Sequence, residues 1–251
     1  MAFIVTGDTH GTLDTSKLIE FFGEHKDEYS KDDYLIICGD VGVCGFSAQR
    51  EAETRKVLRN LPVTTLFVDG NHENFDRLNA YPVEMWNGGK VHKIRDSVIH
   101  LMRGQVFQIE GKKIFTFGGA SSHDIDGGIL EVNDPEYQQK KKLLDSEGDS
   151  YRINRVSWWK EEMPSQEEID FSMKTLEEHG NKVDYIITHC CPQSVASYFS
   201  QGRYKPDKLT KYFNRLSETV EFKKWFFGHY HNNRNVTANE LLLWEQIIRI
   251  S

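Results

Sequence analysis

Seven side chains able to bind a divalent cation stand in short clusters along the 251-residue chain. Asp8 and His10 flank Thr9, Asp40 follows Gly39, Asn71 follows Gly70, His189 follows Thr188, and His229 and His231 flank Tyr230. Carboxylate, amide and imidazole groups suit manganese, iron or zinc, and two-metal sites hold their ions roughly 3.5–4 Å apart with a carboxylate able to bridge them. In extended or turning backbone, residues two apart can point the same way, so Asp8 with His10 and His229 with His231 can each serve one centre. Glycines at 7, 39, 70 and 228 let the backbone turn tightly beside crowded groups. Cys44, Cys190 and Cys191 lie near these clusters, but the oxygen and nitrogen donors already fill two sites, so the thiols read as small packing residues.

Each cluster follows a short apolar run, and in α/β sheets the loops at the carboxyl ends of strands line the ligand crevice. Strands are expected at Ala2 to Val5, Tyr34 to Cys38, Thr65 to Val68, Tyr185 to Thr188 and Trp225 to Phe227. Helices are expected around Leu18 to Phe22, at Gln49 to Leu58 and near Lys208 to Leu216. Ser165 with Glu168 forms a capping box that opens another, ending near His179. Gln105 to Ile109 and Lys113 to Phe117, joined by Glu110-Gly111-Lys112, give a hairpin at which the β-α-β rhythm turns antiparallel. The polar stretch 121–155, with a charged helix over Gln138 to Leu144, reads as an insertion, and Asn235 to Ile250 as further strands. The expectation is an α/β fold of two packed mixed β-sheets flanked by helices, one domain over 1–251 with an inserted lid or recognition segment at about 121–155. Apolar structure starts at Ala2, which predicts no leader.

Composition narrows the partners. A hydrophobic content of 38% supports a sizeable core, and 31 Lys plus Arg against 38 Asp plus Glu leave a formal charge of −7, the wrong sign for a general nucleic-acid surface. No run approaches the ~20 apolar residues of a membrane span. Four cysteines, two of them adjacent, do not make a disulfide framework, so reduced thiols and a cytoplasmic location are expected.

The ordered set D-x-H, G-D, G-N-H-[DE], a lone H and G-H-x-H resembles the calcineurin-like metallophosphoesterases, from residue 8 to 231. The resemblance implies an α-β-β-α sandwich and two divalent metal ions, manganese first, with iron, zinc or nickel as the other choices. It assigns Asp8, His10 and His231 to one ion, Asn71, His189 and His229 to the other, and Asp40 as the bridge. His72 is implied as the proton donor to the leaving alkoxide, with Glu73 and Asp69 as candidates to stabilise its charged form. The implied reaction is hydrolysis of a phosphodiester or phosphomonoester, of small-molecule or nucleotide type, by hydroxide formed from a water that the two cations activate. Retention of His72 tilts the expectation towards diesters.

Departures refine this. The Ser/Thr phosphatases of the superfamily carry G-D-x-x-D-R-G, whereas this chain reads Gly39-Asp40-Val41-Gly42-Val43-Cys44-Gly45, which argues against a phosphoprotein phosphatase. Gly119 to Asp124 and Ser157 to Glu162 resemble segments of small bacterial members. His123 is a candidate substrate contact, while His25, His92, His100 and His179 read as ordinary surface or partly buried residues. Trp158 and Trp159 read as core and rim, and Lys140 to Lys142 as a solvated helix face. The alternatives are a nuclease of the same superfamily and a non-enzymatic metal-binding scaffold, against which an intact His72 argues.

Overall fold

The computed structural model describes residues 1–45 and 47–250; Phe46 and Ser251, within the span expected to be one domain, fall outside the described residues. The first sheet begins with three parallel strands, β1 (Phe3–Thr6), β2 (Tyr34–Ile37) and β3 (Thr64–Phe67), separated by helices α1 (Ser16–Glu24) and α2 (Ala48–Asn60). A short helix α3 (Phe75–Leu78) leads to β4 (Val83–Trp86), β5 (Gly89–Arg95) and β6 (Val98–Leu101). The second sheet opens with the hairpin β7 (Gln105–Ile109) and β8 (Lys112–Phe117). Next come β9 (Ile129–Leu130), α4 (Tyr137–Glu147), β10 (Arg152–Ile153), a 3₁₀ turn Lys160–Glu162 and α5 (Gln166–Glu178). Then follow β11 (Tyr185–Thr188), α6 (Gln193–Ser200), α7 (Lys208–Thr219), β12 (Lys224–Phe227), β13 (Arg234–Asn235), β14 (Glu240–Leu242) and β15 (Ile247–Arg249).

The seven-stranded sheet runs β15-β1-β2-β3-β6-β5-β4 and the six-stranded sheet β13-β14-β12-β11-β8-β7, both mixed. Alternation along the strands divides the apolar side chains between three layers of core. Val5, Ile36, Leu66, Phe107, Ile114, Ile187 and Phe226 meet between the sheets. Their neighbours Ile4, Leu35, Ile37 and Phe67 face outward onto Leu18 of α1 and Leu58 of α2. On the far side, Phe115, Ile186 and Trp225 pack against Ile169 and Leu176 of α5 and Leu209 and Phe213 of α7. Helices therefore cover the outer faces of two packed sheets, as expected. Because central strands are buried on both faces, they read in the sequence as continuous apolar runs rather than alternating ones.

Three expectations need correction. Antiparallel pairing starts at β4, not at the 105–117 hairpin: β4–β5 is itself a hairpin whose Asn87-Gly88 turn has both φ angles positive, as a type I′ turn requires. That Asn-Gly pair was a legible signal. The second hairpin turns on Glu110-Gly111 alone, with Lys112 already paired to Ile109. His92 and His100 lie neither at the surface nor partly buried; they are buried on β5 and β6, with Nδ1 atoms 3.1 Å apart. His100 also donates from Nε2 to Asp69. Helix α6, which starts after Pro192 without a side-chain cap, is an addition to the expected elements.

The capping box at Ser165 and Glu168 is present, and α5 ends at His179. Within 121–155, β9 and β10 pair in parallel and α4 buries none of its residues. Lys140 and Lys141 are engaged by Asp134, Glu136 and Asp145. Trp159 is buried and Trp158 half-buried. No helix among the described residues is long and apolar enough to cross a membrane.

Phe107 is fully buried between the sheets, whereas Leu143 on α4 is 55% exposed. Phe107→Ala should destabilise the protein by about 3–5 kcal/mol. Leu143→Ala should stay within about 0.5 kcal/mol of the parent. Urea unfolding of the two variants side by side checks the layer assignment.

Candidate metal centre

The carboxyl ends of β1, β2, β3, β11 and β12 lie at one end of the two sheets, and each donor cluster leaves its strand within a few residues. The turn that follows is unusually tight. His10, Asp40, His229 and His231 all have positive φ, at 43°, 48°, 70° and 46°. A non-glycine residue in this region costs of order 1–3 kcal/mol and persists only where the surroundings over-determine it. Aspartate and histidine are among the types that enter it most readily.

The loops are laced together at the backbone. His10 and Gly11 donate to the carbonyls of Asp40 and Val41 at 2.7 and 3.0 Å. His72 N–H donates to Asp40 Oδ1 at 2.8 Å, and His229 N–H donates to both carboxylate oxygens of Asp8 at 3.0 and 3.1 Å. Two glycines make these contacts possible. A methyl group at Gly70 would overlap the Asp40 carboxylate, and one at Gly228 the Asp8 carboxylate.

Asp40 Oδ2 is the point on which the site converges. It lies 3.2 Å from His189 Nε2, 3.5 Å from His10 Nε2 and 4.0 Å from His72 Nε2. Asp8 Oδ2 lies 3.3 Å from His231 Nε2 and 3.9 Å from His10 Nε2. Asn71 Oδ1 is 3.2 Å from His189 Nε2. Three overlapping sets, Asp8 with His10 and His231, His10 with Asp40 and His72, and Asp8 with Asp40 and His189, each gather donor atoms within 4.8 Å of one another. His229 stands outside these three sets and joins through its ring, 4.9 Å from that of His189.

Neighbouring acceptors fix which imidazole nitrogen faces inward. His10 Nδ1–H donates to Asp14 at 2.8 Å and His189 Nδ1–H donates to the Cys38 carbonyl at 2.7 Å, so in the neutral form of each ring it is the inward Nε2 that carries the lone pair. His231, whose side chain is 48% exposed, stacks on Trp244. Lys17 ties the same region down by donating to the carbonyls of Asp8 and Trp244.

The electrostatics demand positive charge. Burial disfavours the imidazolium of His10, yet Asp40 and Asp8 overcome it and raise the pKa to about 9. His189 behaves alike: burial opposes protonation, and Asp40 with Asp8 raise it to about 10. Burial pushes the Asp40 carboxyl up, but His189 and His72 hold it well below the ordinary range. His229, desolvated and beside His189, is held neutral. Two buried carboxylates facing inward lone pairs on nitrogen and an amide oxygen are a donor set that fits divalent metal.

The other expected residues are placed as follows. His72 sits beside Asp40, and His123 is exposed with its ring 4.5 Å from that of His229. Glu73 and Asp69 face elsewhere than their expected partner. Glu73 accepts from the Val41 N–H, and burial followed by Asp40 raises its pKa to about 8. Asp69 is engaged by Arg103 and His100. The thiols of Cys44, Cys190 and Cys191 are buried among packing residues. Asp14, Lys17, Arg50 and Arg152 were missed by the sequence reading. Arg50 and Arg152 border a cavity of about 290 Å³ that also touches His10, Asp40 and His72. Only Asp14, four residues from His10, carried a local signal.

Comparison with known proteins adds to this geometry. Residues 1–233 match the family model for calcineurin-like phosphoesterase. The lariat debranching enzyme of Gallus gallus is 23% identical over an alignment covering 92% of this chain and 42% of that protein. Lariat debranching enzyme A of Xenopus laevis is 24% identical over 79% of this chain and 34% of that protein. The chain thus spans less than half the length of these curated relatives. Among solved structures, that of TT1561 of Thermus thermophilus superposes with a TM-score of 0.47 at 10% identity, covering 99% of this chain and 97% of the other.

If Asp40 Oδ2 is the shared donor, Asp40→Asn should lose most of its bound manganese, measured by elemental analysis after equilibrium dialysis. Gly70→Ala, which drives a methyl group into that carboxylate, should lose metal too. Parental stoichiometry in Asp40→Asn would remove Asp40 from the centre.

Proposed function

Because the chain belongs to the calcineurin-like phosphoesterase family, whose members are metal-dependent hydrolases, we propose that it hydrolyses a phosphodiester or phosphomonoester of small-molecule or nucleotide type with two divalent ions. In this reading Asp8, His10 and His231 hold one ion, Asn71, His189 and His229 the other, and Asp40 bridges them. The supporting observation is the convergence of three imidazole nitrogens on Asp40 Oδ2 while its Oδ1 is committed to the His72 N–H. Manganese is the first choice, with iron, zinc or nickel as alternatives. When bound, such ions polarise the phosphoryl oxygens and lower the pKa of a coordinated water.

The chain's own residues supply the rest. His72 is the proton donor to the leaving alkoxide. Burial lowers its pKa and Asp40 opposes that; an arriving phosphate would favour the imidazolium further. Residues 1–251 act as one unit, with 121–155 as the recognition segment. That segment brings Arg152 to the cavity beside His10 and His72, its guanidinium paired with Asp124. Arg50, from α2, borders the same cavity. Two guanidinium groups next to the donor cluster suit an anionic ester, and His123 lies against His229. A nucleic-acid substrate is the second reading: the similarity to two lariat debranching enzymes favours it and the formal charge of −7 opposes it.

Metal-stripped protein reloaded with manganese should hydrolyse bis-p-nitrophenyl phosphate faster than p-nitrophenyl phosphate, and EDTA should abolish both activities. Absence of metal-dependent turnover on either ester would favour the scaffold alternative. His72→Ala should cost about 10²-fold or more on alkyl esters and far less on nitrophenyl esters, whose leaving groups need no proton. Arg152→Ala should raise KM by about tenfold, the worth of one charge-assisted hydrogen bond.

A further inference from the structure

Asn71 poses a problem that its neighbours solve. The two ends of an amide have nearly the same shape, and rotation about the last side-chain bond exchanges oxygen for NH₂. Only the oxygen can bind a cation. Asn71 is buried, its Oδ1 3.2 Å from His189 Nε2 and its Nδ2 3.3 Å from Ser122 Oγ. A serine hydroxyl can donate or accept, so Ser122 alone would tolerate either orientation. Glu162 removes that freedom. Its Oε2 accepts the Ser122 hydroxyl proton at 2.7 Å while its Oε1 accepts the Ser122 N–H at 3.0 Å. With its proton committed, Ser122 Oγ offers Asn71 only a lone pair, which the amide NH₂ satisfies and the amide oxygen cannot.

The carboxylate is in turn anchored to the loop it controls. Arg103, whose side chain is 7% exposed, donates to the Glu161 carbonyl at 2.8 Å and to Asp69 Oδ2 at 2.9 and 2.6 Å. Asp69 stands two residues before Asn71 in the same loop, and its carbonyl accepts from the Gly119 N–H at 2.8 Å. The hydrogen bonds therefore form a closed ring: Asn71 to Ser122, Ser122 to Glu162, the 161–162 segment to Arg103, Arg103 to Asp69, and Asp69 along the chain to Asn71. Every side chain in the ring is buried, where an unmatched polar group is expensive and polarity is enforced. The ring joins the two segments, Gly119 to Asp124 and Ser157 to Glu162, that contribute nothing to the seven-donor set.

We infer that Glu162 and Ser122 are positioning residues that set the polarity of the Asn71 amide, turning its oxygen to the metal centre. The inference rests on the reading of Asn71 as a ligand. Glu162→Gln is the discriminating substitution, since it keeps shape and burial but places an NH₂ group where it can donate to Ser122, freeing the hydroxyl proton to face Asn71. Manganese titration followed by calorimetry and by the electron paramagnetic resonance signal of the free ion reads each site without activity. Glu162→Gln should weaken one of the two ions by about 10–100-fold, leave the other close to the parent, and keep the thermal midpoint. Ser122→Ala, which offers neither polarity, should weaken the same ion less, and Ser122→Thr, which keeps the hydroxyl, should restore it. Parental affinity at both sites in Glu162→Gln would overturn the inference, as would equal loss at both sites with a lowered midpoint, which marks a structural role only. Asn71→Ala separates the two readings. If it retains both ions, Asn71 is not a ligand and the inference falls with that reading; if it loses one ion while Glu162→Gln loses none, only the polarity argument fails.

Discussion

Two carboxylates, Asp8 and Asp40, are almost completely removed from water at the seam between two sheets. A charge in that position is costly unless it is paired and hydrogen-bonded. Much of the surrounding architecture answers that cost. Backbone N–H groups of His72 and His229 cap the carboxylates from two different loops, and the imidazoles of His10, His189 and His231 close around them. The raised pKa values of His10 and His189 express the same demand from the other side, because the pocket stabilises positive charge wherever it can find it. Divalent cations satisfy that demand more fully than protons, which is why the donor set and the family assignment agree.

Meeting the demand requires chain reversals tighter than ordinary loops. Four of the donor residues adopt positive φ, and glycines at 70 and 228 leave room for the carboxylates to press against the backbone. Such strain survives because the flanking strands are locked into a three-layer core, with β1 to β3 and β11 to β12 packed on both faces. Rigid strands hold the loops, and the loops hold the donors within the small tolerances that a metal centre needs.

The segment 121–155 stands outside that core yet reaches the site from two directions. His123 lies against His229, and Arg152 borders the cavity beside His72. Between them, Ser122 takes part in the buried ring that includes Asn71 and Glu162. The exposed helix α4 is the part of the segment farthest removed from this role, since it buries none of its residues. The contacts with the site thus come from the roots of the segment rather than from its tip.

The residue order alone determined the strand-end clusters, the parallel β-α-β opening, the capping box of α5 and which residues are candidate donors, because each is a local pattern: an apolar run, a turn residue, a cap at fixed spacing. It carried the β4–β5 hairpin as well, in the short Asn87-Gly88 signal. Tertiary structure decided what depends on residues far apart in the chain. Nothing near Glu73 or Asp69 in sequence says that their partners are Val41 and Arg103 rather than His72, or that His92 and His100 stack in the interior. Nor could Arg152, on a two-residue strand within the 121–155 stretch, be assigned to the cavity by any local rule. Spacing of one to four residues fixes direction along a helix or strand, whereas contacts across the seam between two sheets exist only once those sheets have packed.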